Sequence, residues 1–192
     1  MNEWPQKLIE QGQKICDSLT FNKLITPQKQ DVLNFFTINP SQIKIVILGQ
    51  DPYPTPGVAN GFAFAVNSYA PIPKSLQNIF KEIKEVQGKI ITDRTLKHWI
   101  NQGVLLLNTS LTTIINQPNS HQHLWKDFTT SVIKWLDQNY KVIWVLWGNE
   151  AKKYIPLLKN KYIYDAHPSP LSVQYRKKNT FRELQRMFDI LW

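Results

Sequence analysis

Ile43-Lys44-Ile45-Val46-Ile47-Leu48 runs without a break into Gly49-Gln50-Asp51-Pro52-Tyr53-Pro54. A short apolar run bounded by turn residues reads as a strand buried on both faces. The strand gives way to a stiff turn. Prolines at 52, 54 and 56 each hold φ at about −65°, so the amide, carboxylate and phenol around them lose little freedom on folding. Taken alone, an Asp-Pro-x-Pro is more often strand-ending punctuation than chemistry. In an open α/β sheet, however, ligands bind at the carboxyl ends of strands, which is where this turn falls.

Working outward, the same kind of apolar run recurs at 104–107, at 142–147 and, shorter, at Tyr162-Ile163-Tyr164. Helical spacing separates these runs. One amphipathic helix is predicted from Gln6 to Leu19, and a second after Pro27, a residue suited to a first helical turn. A third starts near Ser75 with Leu76, Ile79, Phe80, Ile83 and Val86 on one side, and a short one ends at Gly103. Leu124, Phe128, Val132, Trp135 and Leu136 mark another, and a closing helix is expected to start at the capping box Thr180-x-x-Glu183. Buried strands alternating with helices predict an α/β fold: a single three-layer α/β/α domain over 1–192, with a central, mostly parallel four-stranded sheet.

Composition narrows the function. A chain of 192 residues with 42% hydrophobic content, including seven Trp and nine Phe, can bury a sizeable core without staples. Its one cysteine, Cys16, excludes an intrachain disulfide framework and points to a reducing, cytoplasmic setting. Met-Asn-Glu-Trp-Pro at the start is no basic-then-apolar leader, and no apolar run approaches membrane-spanning length. The formal net charge is +9, and from Ala151 to Arg186 nine Lys/Arg face only Asp165 and Glu183. That distribution suits a polyanion such as nucleic acid; a solvated basic face is the other reading.

Four strand ends deliver polar side chains. The first carries Gln50, Asp51 and Tyr53; the second Asn108, Thr109 and Ser110; the third Gly148 and Asn149; the fourth His167, Ser169 and Ser172. In a parallel sheet these ends share one edge, so Asp51, Asn108 and His167 can meet although they are far apart in sequence. A carboxylate, a carboxamide and an imidazole with no serine or cysteine elbow do not suggest covalent acyl transfer. A glycine-rich phosphate loop is missing, which weakens nucleotide-cofactor readings. His121 and His123 have no acidic or cysteine partner at ligand spacing, so no metal is expected.

The motifs Gly49-Gln-Asp-Pro-Tyr-Pro54, Asn60-Gly-Phe-Ala-Phe64, Gly103-Val-Leu-Leu-Leu-Asn108 and His167-Pro-Ser-Pro-Leu-Ser172 together resemble family 1 uracil-DNA glycosylase. Pro73-Lys74-Ser75-Leu76 and Leu146-Trp147-Gly148 are similar to that family's DNA-backbone loops. The likeness runs in order from about Ile43 to Ser172. It implies hydrolysis of the N-glycosidic bond of deoxyuridine in DNA after the nucleotide flips out of the stack, releasing uracil and leaving an abasic site for base excision repair. No cofactor is implied. The implied partners are uracil-containing DNA, single- or double-stranded, and inhibitor proteins that mimic DNA; the implied state is a monomer.

The resemblance also implies roles. Asp51 would position the attacking water and steady the positive sugar, and neutral His167 would donate to uracil O2. Asn108 would read the base, Tyr53 would reject the thymine methyl, Phe64 would stack on the ring, and Gln50 would line the pocket. Leu171 would fill the hole left by the flipped base. Ser75, Ser169, Ser172 and the Gly148-Asn149 amides would grip phosphates. The chain also departs from the family. Pro54 stands where histidine is common and Asn149 where serine is usual, and the Arg-Gly-Phe-Phe-Gly stretch is replaced by Val173-Gln-Tyr-Arg176-Lys177-Lys178-Asn179. Arg176, Lys177 and Lys178 would then replace shape-based duplex contacts with charge. A non-catalytic DNA-binding relative and a flavodoxin-like small-molecule protein are the rival readings.

Overall fold

The computed structural model describes residues 3–21, 24–169 and 180–192. Of the expected site residues, Leu171, Ser172, Arg176, Lys177 and Lys178 lie outside these. In chain order the elements are α1 (Gln6–Ser18), β1 (Ile25–Thr26), β2 (Ile45–Gly49), α2 (Lys74–Gln87), α3 (Lys97–Ile100) and β3 (Val104–Asn108). They continue with β4 (Thr113–Ile114), α4 (Gln122–Asn139), β5 (Ile143–Trp147), α5 (Gly148–Lys152), β6 (Tyr162–Asp165) and α6 (Thr180–Met187).

The central sheet runs β3-β2-β5-β6 and every pairing in it is parallel. An antiparallel pairing occurs apart from it, in the small pair β1–β4. Successive side chains on a strand point to opposite faces, so each continuous apolar run feeds two cores. Val46, Leu48, Leu105, Leu107, Trp144 and Leu146 pack with Leu8 of α1 and Trp125, Phe128 and Val132 of α4. Ile45, Ile47, Leu106, Val145 and Trp147 face the other way, against Leu76 and Ile79 of α2, Trp99 of α3 and Phe181 of α6. Cys16 belongs to the first core, where burial pushes its thiol up to about 11 and makes it a packing residue.

Two local expectations change. After Pro27 there is no α-helix but three single 3₁₀ turns, Lys29–Asp31, Asn34–Thr37 and Pro40–Gln42. Short polar side chains there compete with a helical ladder: Thr37 Oγ1 donates to the Asn34 carbonyl at 2.7 Å, and Asn39 Oδ1 accepts the Ser41 N–H at 2.9 Å. Pro40 also disfavours a helical Asn39. Thr180, expected as a helix cap, is instead buried and donates to Asp165 Oδ2 at 2.9 Å. That bond fastens the start of α6 to the end of β6, two residues before His167.

Parallel register then sets the functional edge. Gly49 pairs with Asn108, Leu48 with Leu146, and Trp147 with Asp165. The turns after β2, β3, β5 and β6 therefore open on one side of the sheet.

Candidate active site

At that edge a cavity of about 480 Å³ is lined by Gln50, Asp51, Tyr53, Phe64, Ser75, Asn108, His167 and Ser169, together with Pro52, Pro54 and Pro118. Gly148 and Asn149 are not part of the lining. A groove of about 680 Å³ elsewhere, lined by Asn34, Asn39, Asn60 and Asn101 among others, is larger. Size does not select between them. The smaller one gathers the strand ends and the carboxylate–carboxamide–imidazole set.

The first turn is held by the neighbouring strand. The Gln50 carbonyl accepts from the Ser110 N–H at 2.9 Å and from the Thr109 hydroxyl at 2.8 Å. Asp51 then receives a donor on each oxygen: the Asn119 backbone N–H on Oδ2 at 2.7 Å and Gln50 Nε2 on Oδ1 at 3.2 Å. Burial raises the proton affinity of this carboxyl, and the two donors act against that rise.

Tyr53 is the next wall. Its hydroxyl donates to the Phe64 carbonyl at 3.2 Å and lies 2.9 Å from Ser75 Oγ. Burial holds the phenol well above its usual range, so it stays protonated. Ser75, expected at a phosphate, thus also braces Tyr53. Phe64 has φ of 64°, a left-handed conformation rare for an aromatic residue. Its ring meets Trp147 edge-on at 5.1 Å and lies 5.8 Å from the His167 ring.

Asn108 ends β3 almost fully buried, at 4% exposure. Gly49 makes room for it: a Cβ there would collide with Asn108 Oδ1 and lie 2.9 Å from Ala63 Cβ. On the far side, burial lowers the proton affinity of His167 and favours neutral imidazole. Gly148 has φ of 87°, and a Cβ on it would come within 3.0 Å of His167 Cβ. Asn78 Nδ2 of α2 donates to the Pro168 carbonyl at 2.9 Å, tethering the same loop. Asn149 stands apart and exposed, accepting from the Tyr164 hydroxyl at 3.4 Å.

Sequence reasoning missed Gly49, Asn78 and Asn119. Only Gly49 left a signal, as the small residue joining strand to motif. Among the described residues no group of three or more His, Cys, Asp or Glu could hold a metal ion. His121 instead hydrogen-bonds Thr112 Oγ1 through Nδ1 at 2.9 Å.

Comparison with known proteins decides what this geometry belongs to. A profile of the Uracil DNA glycosylase superfamily matches residues 35–191. The chain belongs to that superfamily. Within the uracil-DNA glycosylases, it is 41% identical over 186 residues to the protein of Fusobacterium nucleatum, covering 89% of this chain and 82% of that one. It is 45% identical over 155 residues to the protein of Phocaeicola vulgatus, covering 77% and 70%. A crystal structure of a mimivirus Y322L variant in complex with UGI superposes with a TM-score of 0.76 at 32% identity, covering 89% of this chain and 72% of that one. The α/β sheet and its flanking helices are thus the uracil-DNA glycosylase fold. Among the described residues no helix is long and apolar enough to cross a membrane.

Proposed function

We infer that this member of the uracil-DNA glycosylase superfamily excises uracil from DNA in base excision repair, and that Asp51, Asn108 and His167 carry the reaction. Convergence of those three side chains in one pocket walled by Tyr53 and Phe64 is the observation that supports the assignment.

Most glycoside hydrolases use two carboxylates because an alkoxide leaves poorly. Uracil leaves more easily, as an anion whose charge spreads over O2 and O4. The C1′–N1 bond breaks heterolytically and its electron pair departs with the base. Water oxygen then bonds C1′, and its proton passes to solvent through Asp51. Asp51 lies at the mouth of the proline turn with both oxygens already accepting N–H donors, which suits a carboxylate that aligns water and faces a cationic sugar. Neutral His167 supplies an N–H for the developing charge on O2.

Base choice falls to Asn108. Its amide oxygen can accept from N3–H while its nitrogen donates to O4, a pattern that cytosine reverses. Mismatched donors in so buried a site would be left unpaired. Phe64 offers a ring for stacking, and Tyr53, held at both ends of its hydroxyl's hydrogen bonds, stands as the wall against a C5 methyl. Gln50 lines the pocket and steadies Asp51. On the DNA side we assign Leu171 as the wedge. Ser75, Ser169, Ser172, Gly148 and Asn149 are phosphate contacts, and Arg176, Lys177 and Lys178 add basic charge. An inhibitor protein that mimics DNA is also proposed as a partner, since the mimivirus relative was solved in complex with UGI.

The test is release of free uracil from a single-stranded oligonucleotide by the wild-type protein beside Asp51→Asn. Release by the wild type and its loss in the variant are expected. A wild-type protein that binds the oligonucleotide and leaves no abasic site would favour the non-catalytic reading.

A further inference from the structure

The 116–119 segment carries two asparagines in the left-handed region, Asn116 at φ 60° and Asn119 at φ 66°. Asparagine tolerates this conformation better than other side-chain-bearing residues, and here it turns backbone donors toward the proline turn. The Asn116 N–H donates to the Pro54 carbonyl at 3.0 Å, and the Asn119 N–H donates to Asp51 Oδ2 at 2.7 Å. Asn119 Oδ1 accepts from Gln50 Nε2 at 2.7 Å, and that same nitrogen reaches Asp51 Oδ1 at 3.2 Å. The result is a closed ring of Asp51, Asn119 and Gln50. It holds each carboxylate oxygen by one donor and so defines the plane of the carboxylate.

This ring stands on a firm base. Ser120 Oγ accepts the Ile114 N–H at 2.8 Å and lies 3.0 Å from Thr113 Oγ1. Thr112 Oγ1 accepts Trp125 Nε1–H at 2.7 Å, leaving its own proton for His121 Nδ1. Segment 117–121 is therefore anchored by buried groups while Asn119 itself sits at the exposed rim of the pocket.

We propose that Asn119 is a positioning residue for uracil excision, its backbone N–H and side-chain carbonyl together setting Asp51 and Gln50 in the geometry that aligns the attacking water. The proposal rests on the role given above to Asp51. The backbone bond survives substitution; the side-chain bond does not. Asn119→Gly keeps the left-handed backbone and the N–H but frees Gln50.

Single-turnover uracil release should be compared for wild type, Asp51→Asn, Asn119→Gly, the double variant and Asn119→Asp. Asn119→Gly should lower the chemical step about tenfold with substrate affinity and melting temperature little changed. In the Asp51→Asn background it should cost nothing further, since the group it positions is gone. Asn119→Asp should restore the acceptor for Gln50 but move the acid limb of the rate upward in pH, because a like charge beside Asp51 disfavours its ionised form. Equal losses in both backgrounds, or a wild-type rate and acid limb in both single variants, would overturn the proposal. A wild-type rate for Asp51→Asn would instead overturn the reading on which it rests.

Discussion

The two walls of the pocket hold their proposed catalytic groups by opposite means. Asp51 is gripped by hydrogen bonds, one donor on each oxygen, with Gln50 and Asn119 closing a ring around it. His167 is set by packing: Phe64 lies 5.8 Å away ring to ring, Gly148 leaves no room for a Cβ beside that of His167, and among the described residues neighbours rather than the ring are tethered, through Asn78 to Pro168 and Thr180 to Asp165. Burial pushes both groups toward their neutral forms. Only the carboxylate is given donors that work against that push. A single desolvated pocket can therefore hold an anion on one wall and a neutral donor on the other, which is the pair that departure of an anionic base requires.

The sharpest break of this contrast is His167→Ala. Removing the donor while leaving the Asp51 ring intact should slow uracil release about 10²–10³-fold in single turnover. A variant within a few fold of wild type would mean that the imidazole wall is only structural. Next comes Gly148→Ala, which imposes both a strained φ and a contact at 3.0 Å on His167. It should cost about 1–3 kcal/mol in stability by thermal or urea unfolding, and slow excision without changing its Asp51-dependent acid limb. Gly49→Ala should do the corresponding damage at the floor, driving Asn108 off its place and weakening binding of free uracil in a competition assay.

The pH profile separates the walls by sign. In the proposed reaction Asp51 must be ionised, and its proton affinity is raised, so its acid limb should lie above the ordinary aspartate range. His167 must be neutral, and its proton affinity is lowered, so its protonation should lie below the ordinary histidine range. The rate of the chemical step should accordingly be level through neutrality and fall on the acid side, with the His167→Ala profile retaining the Asp51 limb. The smallest effect concerns neither wall. Replacing Arg176, Lys177 and Lys178 by alanine should leave chemistry on saturating substrate unchanged and flatten the salt dependence of DNA binding, by about 0.7 in log–log slope for each single-strand phosphate no longer neutralised.

Much of this was legible in the chain. The apolar runs that became β2, β3 and β5 carry their burial in their composition, because a strand covered on both faces has no polar side to show. Asp51, Asn108 and His167 stood out since each lies at, or within two residues of, the carboxyl end of a strand. Where reading failed, local chemistry had a competitor. The stretch after Pro27 has helical residues, yet Thr37 and Asn39 close their own backbone bonds and break it into turns. Thr180 and Glu183 have capping-box spacing, yet buried Asp165 claims the threonine hydroxyl.

Asn119 was the hardest to see, because a lone asparagine in a polar loop carries no periodicity and its partners lie 68 and 69 residues away. Strand identity, parallel pairing and the residue types at the strand ends follow from the order of the amino acids, since burial and backbone preference act over a few neighbouring residues. Which oxygen of Asp51 meets which donor, how closely Gly49 lets Asn108 approach, and that among the described residues packing sets His167 were decided only by the tertiary structure. Those relations depend on segments brought together by the sheet, and no local rule in the chain encodes a distance between them.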